Sequence, residues 1–386
     1  MPELDGIRAI ALLMVLVYHY LGNIVPAKPY TLLWFPIVPL RSLSIGVDLF
    51  LVLSGFLIGG ILLDARGSTS YFAAFYGRRI FRIFPLYFDW YGLYLVLLAS
   101  GILNWLPSAR DVFAPTIPAW WYAVFLQNVA SAHLHDFGPR WLTVTWSLAI
   151  EEQFYATVPL LIRVLNRTAL LWLCLAAIVA APIFRFSYGA NWFAQSMLTW
   201  CRADDLALGI LAGIIVRERG AWEWLLSKQS VLIAGFVGLL ALDGYLSVKG
   251  FLGQGFLERT ILGTGWGLLF WTGLMIVVTG ASPLIRSVLS SPILRYVGKV
   301  SFAVYIFHQP LLYLLHNVFF KAAPVITGFP TFGVTLLSLA LAFGLADLSW
   351  RFFEHPLIRW AHARFRYEDG VALKGTLQPL PRGGAT

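Results

Sequence analysis

The sequence predicts an all-α protein, a polytopic transmembrane helical bundle of about 10 spans with its N- and C-termini cytoplasmic. Three observations carry this. Apolar residues fill 59% of the 386 positions and charged residues only 12%, roughly half the ~25% of an ordinary soluble domain. Apolar stretches near the ~20 residues that cross a ~30 Å hydrocarbon core recur along the length. Lys and Arg also gather on alternate joints, the bias expected of cytoplasmic loops. The net charge of +9 is spread over those joints and forms no soluble basic patch, so no nucleic-acid partner is expected.

Taken in order, the spans are expected at 6–24, 44–63, 84–102, 146–164, 168–186, 201–217, 230–248, 259–280, 300–320 and 331–352. The first has acidic residues ahead of its apolar run and no small-residue cleavage site, so it reads as a span and not a removed signal peptide. An inside N-terminus places Arg66, Arg78, Arg79, Arg82, Arg163 and Arg167 on inner joints, and Arg41, Arg110 and Arg140 on outer ones. The aromatic segment 117–131 is short for a crossing and reads as an interfacial or re-entrant piece on the outer side. Residues 1–366 are expected to form a single membrane domain with no soluble domain before or after it. Residues 367–386, rich in Gly and Pro, are expected to be a disordered cytoplasmic tail. Cys174 and Cys201 lie in or beside apolar runs and read as small hydrophobes, with neither a disulfide nor a metal site.

Ionisable residues inside a membrane are costly, which makes each a functional candidate. In "LDGIRAIALLMVLVYHY", Arg8 and His19 are 11 residues apart, nearly three α-helical turns. They therefore share a face about 16 Å apart along the axis. Arg8 falls at the inner boundary, where snorkelling is the plainer reading. His19 falls deep, where an imidazole needs partners and suits a general base. Arg78, Arg79 and Arg82 in "YGRRIFRIFPLY" read either as inside-positive anchors or as a clamp for phosphate oxygens. Glu151 and Glu152 in "TWSLAIEEQFY" point about 100° apart, so one faces a cavity while the other caps or pairs. Ser301, Tyr305 and His308 form one stripe, and Asp48 begins the second span as an N-cap. Asp347, Arg351 and Glu354 read as a structural ion-pair ladder. Trp120, Trp121 and Trp141 read as interface anchors or as platforms for sugar rings.

These stretches together resemble acyltransferase family 3 of membrane O-acyltransferases. The matches run in order over roughly residues 3–360: "LDGIRA" with Arg8 and His19, "GVDLFLVLSGFLI", Arg79–Arg82 with "FPLY", "WSLAIEEQFY", "CRADDLALGILAG", "SFAVYIFHQP" and "RFFEHP". The resemblance implies transfer of an acyl group, most often acetyl, from cytosolic acetyl-CoA or another acyl-CoA. The acceptor it implies is a hydroxyl of a sugar or glycan outside the cytoplasm, or of a small molecule such as a macrolide. It implies a multi-pass protein of the bacterial inner membrane, held by the lipid bilayer and without a metal. The expected base is His19, with Glu151 or Glu152 orienting it or the acceptor; an acyl-histidine relay is the variant. Arg8, Arg78, Arg79 and Arg82 are expected on the acyl-CoA, and Asp48, Trp146, Tyr305 and His308 beside the substrate or in support. Many relatives carry an extracytoplasmic esterase-like domain, and this chain is expected to be the form without it. A proton-coupled transporter is the rival class. It would show paired, broken helices in related halves, and the sequence has no internal repeat.

Overall fold

Long runs of Leu, Ile, Val, Phe and Ala satisfy their backbone polar groups internally only as helices, which is what lipid demands. The computed structural model describes residues 1–27, 31–250 and 256–368; the side chains at 247–250, 256–259 and 261 lie outside that description. Among the described residues there are helices and no strand. The principal ones are α1 (Pro2–Val17), α2 (Trp34–Ser42), α3 (Gly46–Asp64), α4 (Tyr71–Ala99), α5 (Trp120–Ala123), α6 (Gln127–Leu134) and α7 (Thr145–Val164). Beyond them lie α8 (Arg167–Ser187), α9 (Ala203–Ile215), α10 (Gln229–Gly250), α11 (Phe256–Thr279), α12 (Pro292–Phe320), α13 (Phe329–Ser349) and α14 (His355–Arg364).

All ten expected spans fall on helix. Seven stretches of the described residues are long and apolar enough to cross a membrane. The three expected spans outside that set lie on α7, α9 and α12, and each has a physical reason. Helix α9 has 13 residues, about 20 Å at 1.5 Å each and short of a hydrocarbon core. Helices α7 and α12 carry Glu151, Glu152 and Arg163, and Arg295, Lys299, His308 and His316. The segment 117–131 forms no long helix; it is divided between α5, of four residues, and α6, of eight.

The chain forms two compact units interleaved in sequence. The first comprises Met1–Gly46, Arg78–Ile150 and Pro292–Arg364. Here α1 packs closely on α12 because Gly298 has no side chain: a Cβ there would sit 2.0 Å from the Asp5 carbonyl oxygen. Two segments depart from α geometry. Tyr18–Gly22 and Trp350–Glu354 are single π turns continuing α1 and α13, a distortion found often at functional sites. The Trp90 and Trp141 rings stack 4.2 Å apart, and each indole N–H donates to the other's carbonyl, at 3.0 and 3.3 Å. Trp141 is buried in that pair, so it is a core residue and offers no face to a sugar. Trp120 remains exposed.

The second unit comprises Val47–Gly77, Glu151–Ser291 and Phe365–Thr386. Its centre is the crossing of α3 with α9, where Gly55 meets Gly209. A Cβ on Gly55 would lie 2.2 Å from the Leu206 oxygen, and one on Gly209 would lie 2.2 Å from the Val52 oxygen. Small residues that bring backbones together are the usual device of membrane helix packing. Cys174 and Cys201 are free and buried, as expected of small hydrophobes. Of the tail expected over 367–386, the backbone N–H of Glu368 donates to Ser70 at 2.9 Å, and 369–386 lie outside the described residues.

Candidate active site

Helix α1 ends at Val17 because the next turn widens: the N–H of Asn23 bonds to Tyr18, five residues back. His19 lies inside this π turn, so the plain α-helical phase used to relate it to Arg8 stops one residue before it. Its ring is 3.0 Å from another imidazole, Nδ1 of His19 facing Nε2 of His308. His19 keeps part of its surface accessible, while His308 is completely buried. The Nδ1 of His308 lies 2.7 Å from the Tyr305 carbonyl and 3.2 Å from that of Val304. Tyr20 donates its hydroxyl to the His308 carbonyl at 2.8 Å, which fixes that turn of α12 from the other side.

The stripe of Ser301, Tyr305 and His308 has divided roles. Tyr305 and Ser147 share a hydrogen bond of 2.7 Å between their hydroxyls. Ser301 is turned onto its own helix, donating to Gly298 at 2.9 Å. Trp146 is half-buried on the first turn of α7. Arg140 reaches the same neighbourhood from the segment before α7. Its guanidinium sits 5.2 Å from the Tyr313 ring centre and 5.4 Å from that of Phe137, and its charge acts on His19 and Tyr18. Asp111 also feels that charge, yet burial raises its pKa above the ordinary carboxylate value. The sequence offered only the sign and loop of Arg140, and nothing that paired it with His19.

Arg8 forms an ion pair with Asp5 at 2.9 Å, one turn back on the same helix. Arg78, Arg79 and Arg82 are all half-buried on α4. The structure brings them a neighbour that sequence reasoning missed: His362 on α14 lies within electrostatic reach of all three. The Trp360 ring packs 4.7 Å from that of Phe81. "RFFEHP" runs into the first two residues of this helix, His355 and Pro356.

The remaining expected site residues belong to the second unit. Glu151 accepts hydrogen bonds from Ser54 at 2.7 Å and Tyr155 at 3.1 Å, and Glu152 is half-buried beside it. Asp48 stands in the first turn of α3 and is buried against Arg202 at 2.7 Å, and Arg202 also meets Asp205 at 3.3 Å. A second buried pair, Arg185 with Asp204, is bidentate at 3.2 and 2.8 Å and shares Thr264. These arginines and aspartates are ion-paired with one another and read as structural. In the first unit the expected Asp347–Arg351–Glu354 ladder forms only in part. Asp347 and Arg351 pair at 2.8 Å, but the π turn redirects Glu354 to Ser349 at 2.9 Å. Among the described residues no group of His, Cys, Asp and Glu is arranged to hold a metal.

Known proteins share the sequence in which this site lies. A peptidoglycan O-acetyltransferase, OatA of Listeria monocytogenes, is 28% identical over 92% of this chain and 55% of its own length. An O-acetyltransferase OatA of Staphylococcus aureus is 26% identical over 95% of this chain and 58% of its own. The chain thus spans little more than half the length of these curated relatives. No solved structure matches it. A family model described as an acyltransferase domain matches residues 1–351. The chain belongs to this acyltransferase family.

Proposed function

We propose that this chain is a membrane O-acyltransferase. It moves an acyl group, acetyl first of all, from cytosolic acyl-CoA to a hydroxyl of a glycan on the far side of a bacterial inner membrane. The observation that carries the reading is the part-accessible imidazole of His19, set in a π turn on an apolar helix and held by a second imidazole. A nucleophile-activating base needs that combination of access and orientation. In the proposed step the acceptor hydroxyl gives its proton to His19 as its oxygen attacks the thioester carbonyl. The new C–O bond forms, the C–S bond breaks, and the departing thiolate takes the proton back as free coenzyme A.

Arg78, Arg79 and Arg82, with His362 beside them, suit the phosphates of the donor, because guanidinium forks match phosphate oxygens. Arg8 joins the donor side. The pantetheine arm is comparable with the ~16 Å that eleven helical residues span. Ten spans and cytoplasmic termini remain part of the proposal, as do Glu151 and Glu152, which enter on the sequence alone. The relatives' names make a peptidoglycan hydroxyl the first acceptor to test, with a small-molecule hydroxyl as the alternative.

The test is acetyl transfer from labelled acetyl-CoA to soluble glycan strands by the purified protein in lipid nanodiscs. The wild type is expected to acetylate the glycan, and His19→Ala to lose about 10²–10⁴-fold in kcat while eluting as a folded protein. Retained activity in that variant would remove His19 as the base. An acyl-enzyme trapped without acceptor would replace direct transfer with the covalent relay.

A further inference from the structure

We propose that His308 is a positioning residue that sets the tautomer of His19, presenting the lone pair of His19 Nε2 to the acceptor; this rests on His19 being the base. The donor and acceptor identities come from chemistry that leaves one arrangement. Backbone carbonyls only accept, so the His308 Nδ1 that lies against the carbonyls of Tyr305 and Val304, at 2.7 and 3.2 Å, carries the proton. A doubly protonated His308 would be a sealed cation, costly without an anionic partner, and among the described residues no carboxylate is bonded to its ring. His308 is therefore neutral, and its Nε2 has a lone pair and no hydrogen. The group 3.0 Å from that lone pair, Nδ1 of His19, must then be the donor. A neutral His19 that donates from Nδ1 has its free lone pair on Nε2.

The burial of the two rings assigns the roles. His308 is 0% exposed and has no surface to offer a substrate, so its influence on the reaction passes through the ring it bonds. His19 is part-accessible and can meet an acceptor. The Val15 carbonyl, four residues back, also serves as a hydrogen-bond partner of His19. This is the same i−4 relation through which His308 Nδ1 meets Val304. When His19 takes the acceptor's proton on Nε2, the bond from its Nδ1 to His308 becomes charge-assisted and strengthens. The arrangement is nucleophile, base and orienter, with the orienter a neutral imidazole anchored on main-chain carbonyls in place of a carboxylate.

Three measurements test this. Nitrogen NMR of the ¹⁵N-histidine-labelled protein in nanodiscs, with the His19 signals identified by their loss in His19→Ala, should show neutral His19 protonated on Nδ1. Protonation on Nε2 would overturn the proposal without any change to the site. In transfer assays, His308→Leu should lower kcat by about 10–100-fold, the usual cost of losing such an outer partner. Its KM for acetyl-CoA should stay within about twofold, since donor binding does not use this pair. His308→Gln, whose amide oxygen can accept from His19, should recover most of the rate. Wild-type kcat in folded H308L would refute the role of His308 while leaving His19 as the base. An H308Q variant as impaired as H308L would assign His308 to packing. An active His19→Ala variant would instead overturn the functional reading beneath the proposal, a result distinguishable from either.

Discussion

At the scale of single residues, identical side chains have been given different work by burial and partners. Arg185 is nearly sealed and committed to Asp204, Thr264 and the carbonyl of Thr260, whereas Arg78, Arg79 and Arg82 keep accessible surface. Removing one partner of a buried pair strands the other, at a cost of about 3–5 kcal/mol. Arg185→Ala is therefore expected to lower the unfolding temperature in detergent sharply, whatever its activity. The opposite is expected of Arg79→Ala and Arg82→Ala. Each removes charge-assisted bonds worth about 1.5–3 kcal/mol, which should raise the KM for acyl-CoA by roughly 10–100-fold with little change in melting. Unchanged KM in both would return these arginines to the role of topological anchors. The sequence showed which residues were ionisable, and it grouped Arg78, Arg79 and Arg82 as anchors or a phosphate clamp. It did not separate a structural arginine from a ligand-binding one, because that depends on whether a carboxylate arrives from another segment.

At the scale of elements, the departures from ideal helix matter most. The π turn at Tyr18–Gly22 seats His19, and the one at Trp350–Glu354 detaches Glu354 from the ladder that α-helical spacing implied. A π turn accommodates one residue more than an α turn, so no hydropathy pattern announces it. Deleting Leu21 should let the turn that contains His19 close to α geometry and disturb its contact with His308. The expected result is a folded protein with acetyl transfer reduced at least as far as in H308L; full activity would show that the widened turn is incidental. The crossing of α3 and α9 makes a contrasting prediction. Gly209→Val would drive a side chain into the Val52 carbonyl, and overpacking of that sort costs about 1–3 kcal/mol. Thermal unfolding, not catalytic rate in the surviving protein, should register it.

At the scale of the whole molecule, the chain is a helical membrane protein in which three expected spans miss a lipid-like stretch, α9 by its length and α7 and α12 by the ionisable residues they carry. This is why composition and length single out seven stretches while the sequence expectation is ten. The topology is directly testable because both native cysteines are buried and give little background. With the expected orientation, Trp105→Cys should react with a membrane-impermeant maleimide in intact cells, and Glu368→Cys only after permeabilisation. Reaction of both under the same condition would sink the assignment of sides.

The sequence by itself determined the class of the protein, a helix under each of the ten expected spans and the residue types on which acyl transfer would depend. Those properties are local: hydropathy accumulates along a segment, and motif residues keep fixed spacing. The tertiary structure alone decided which ionisable groups are spent on one another, that Trp141 is core, and that His362 joins the arginines. It also decided that His19 meets His308 across 289 positions of sequence. A hydrogen bond is directional and short, so its partner is set by how distant helices pack, and no pattern within one helix encodes that.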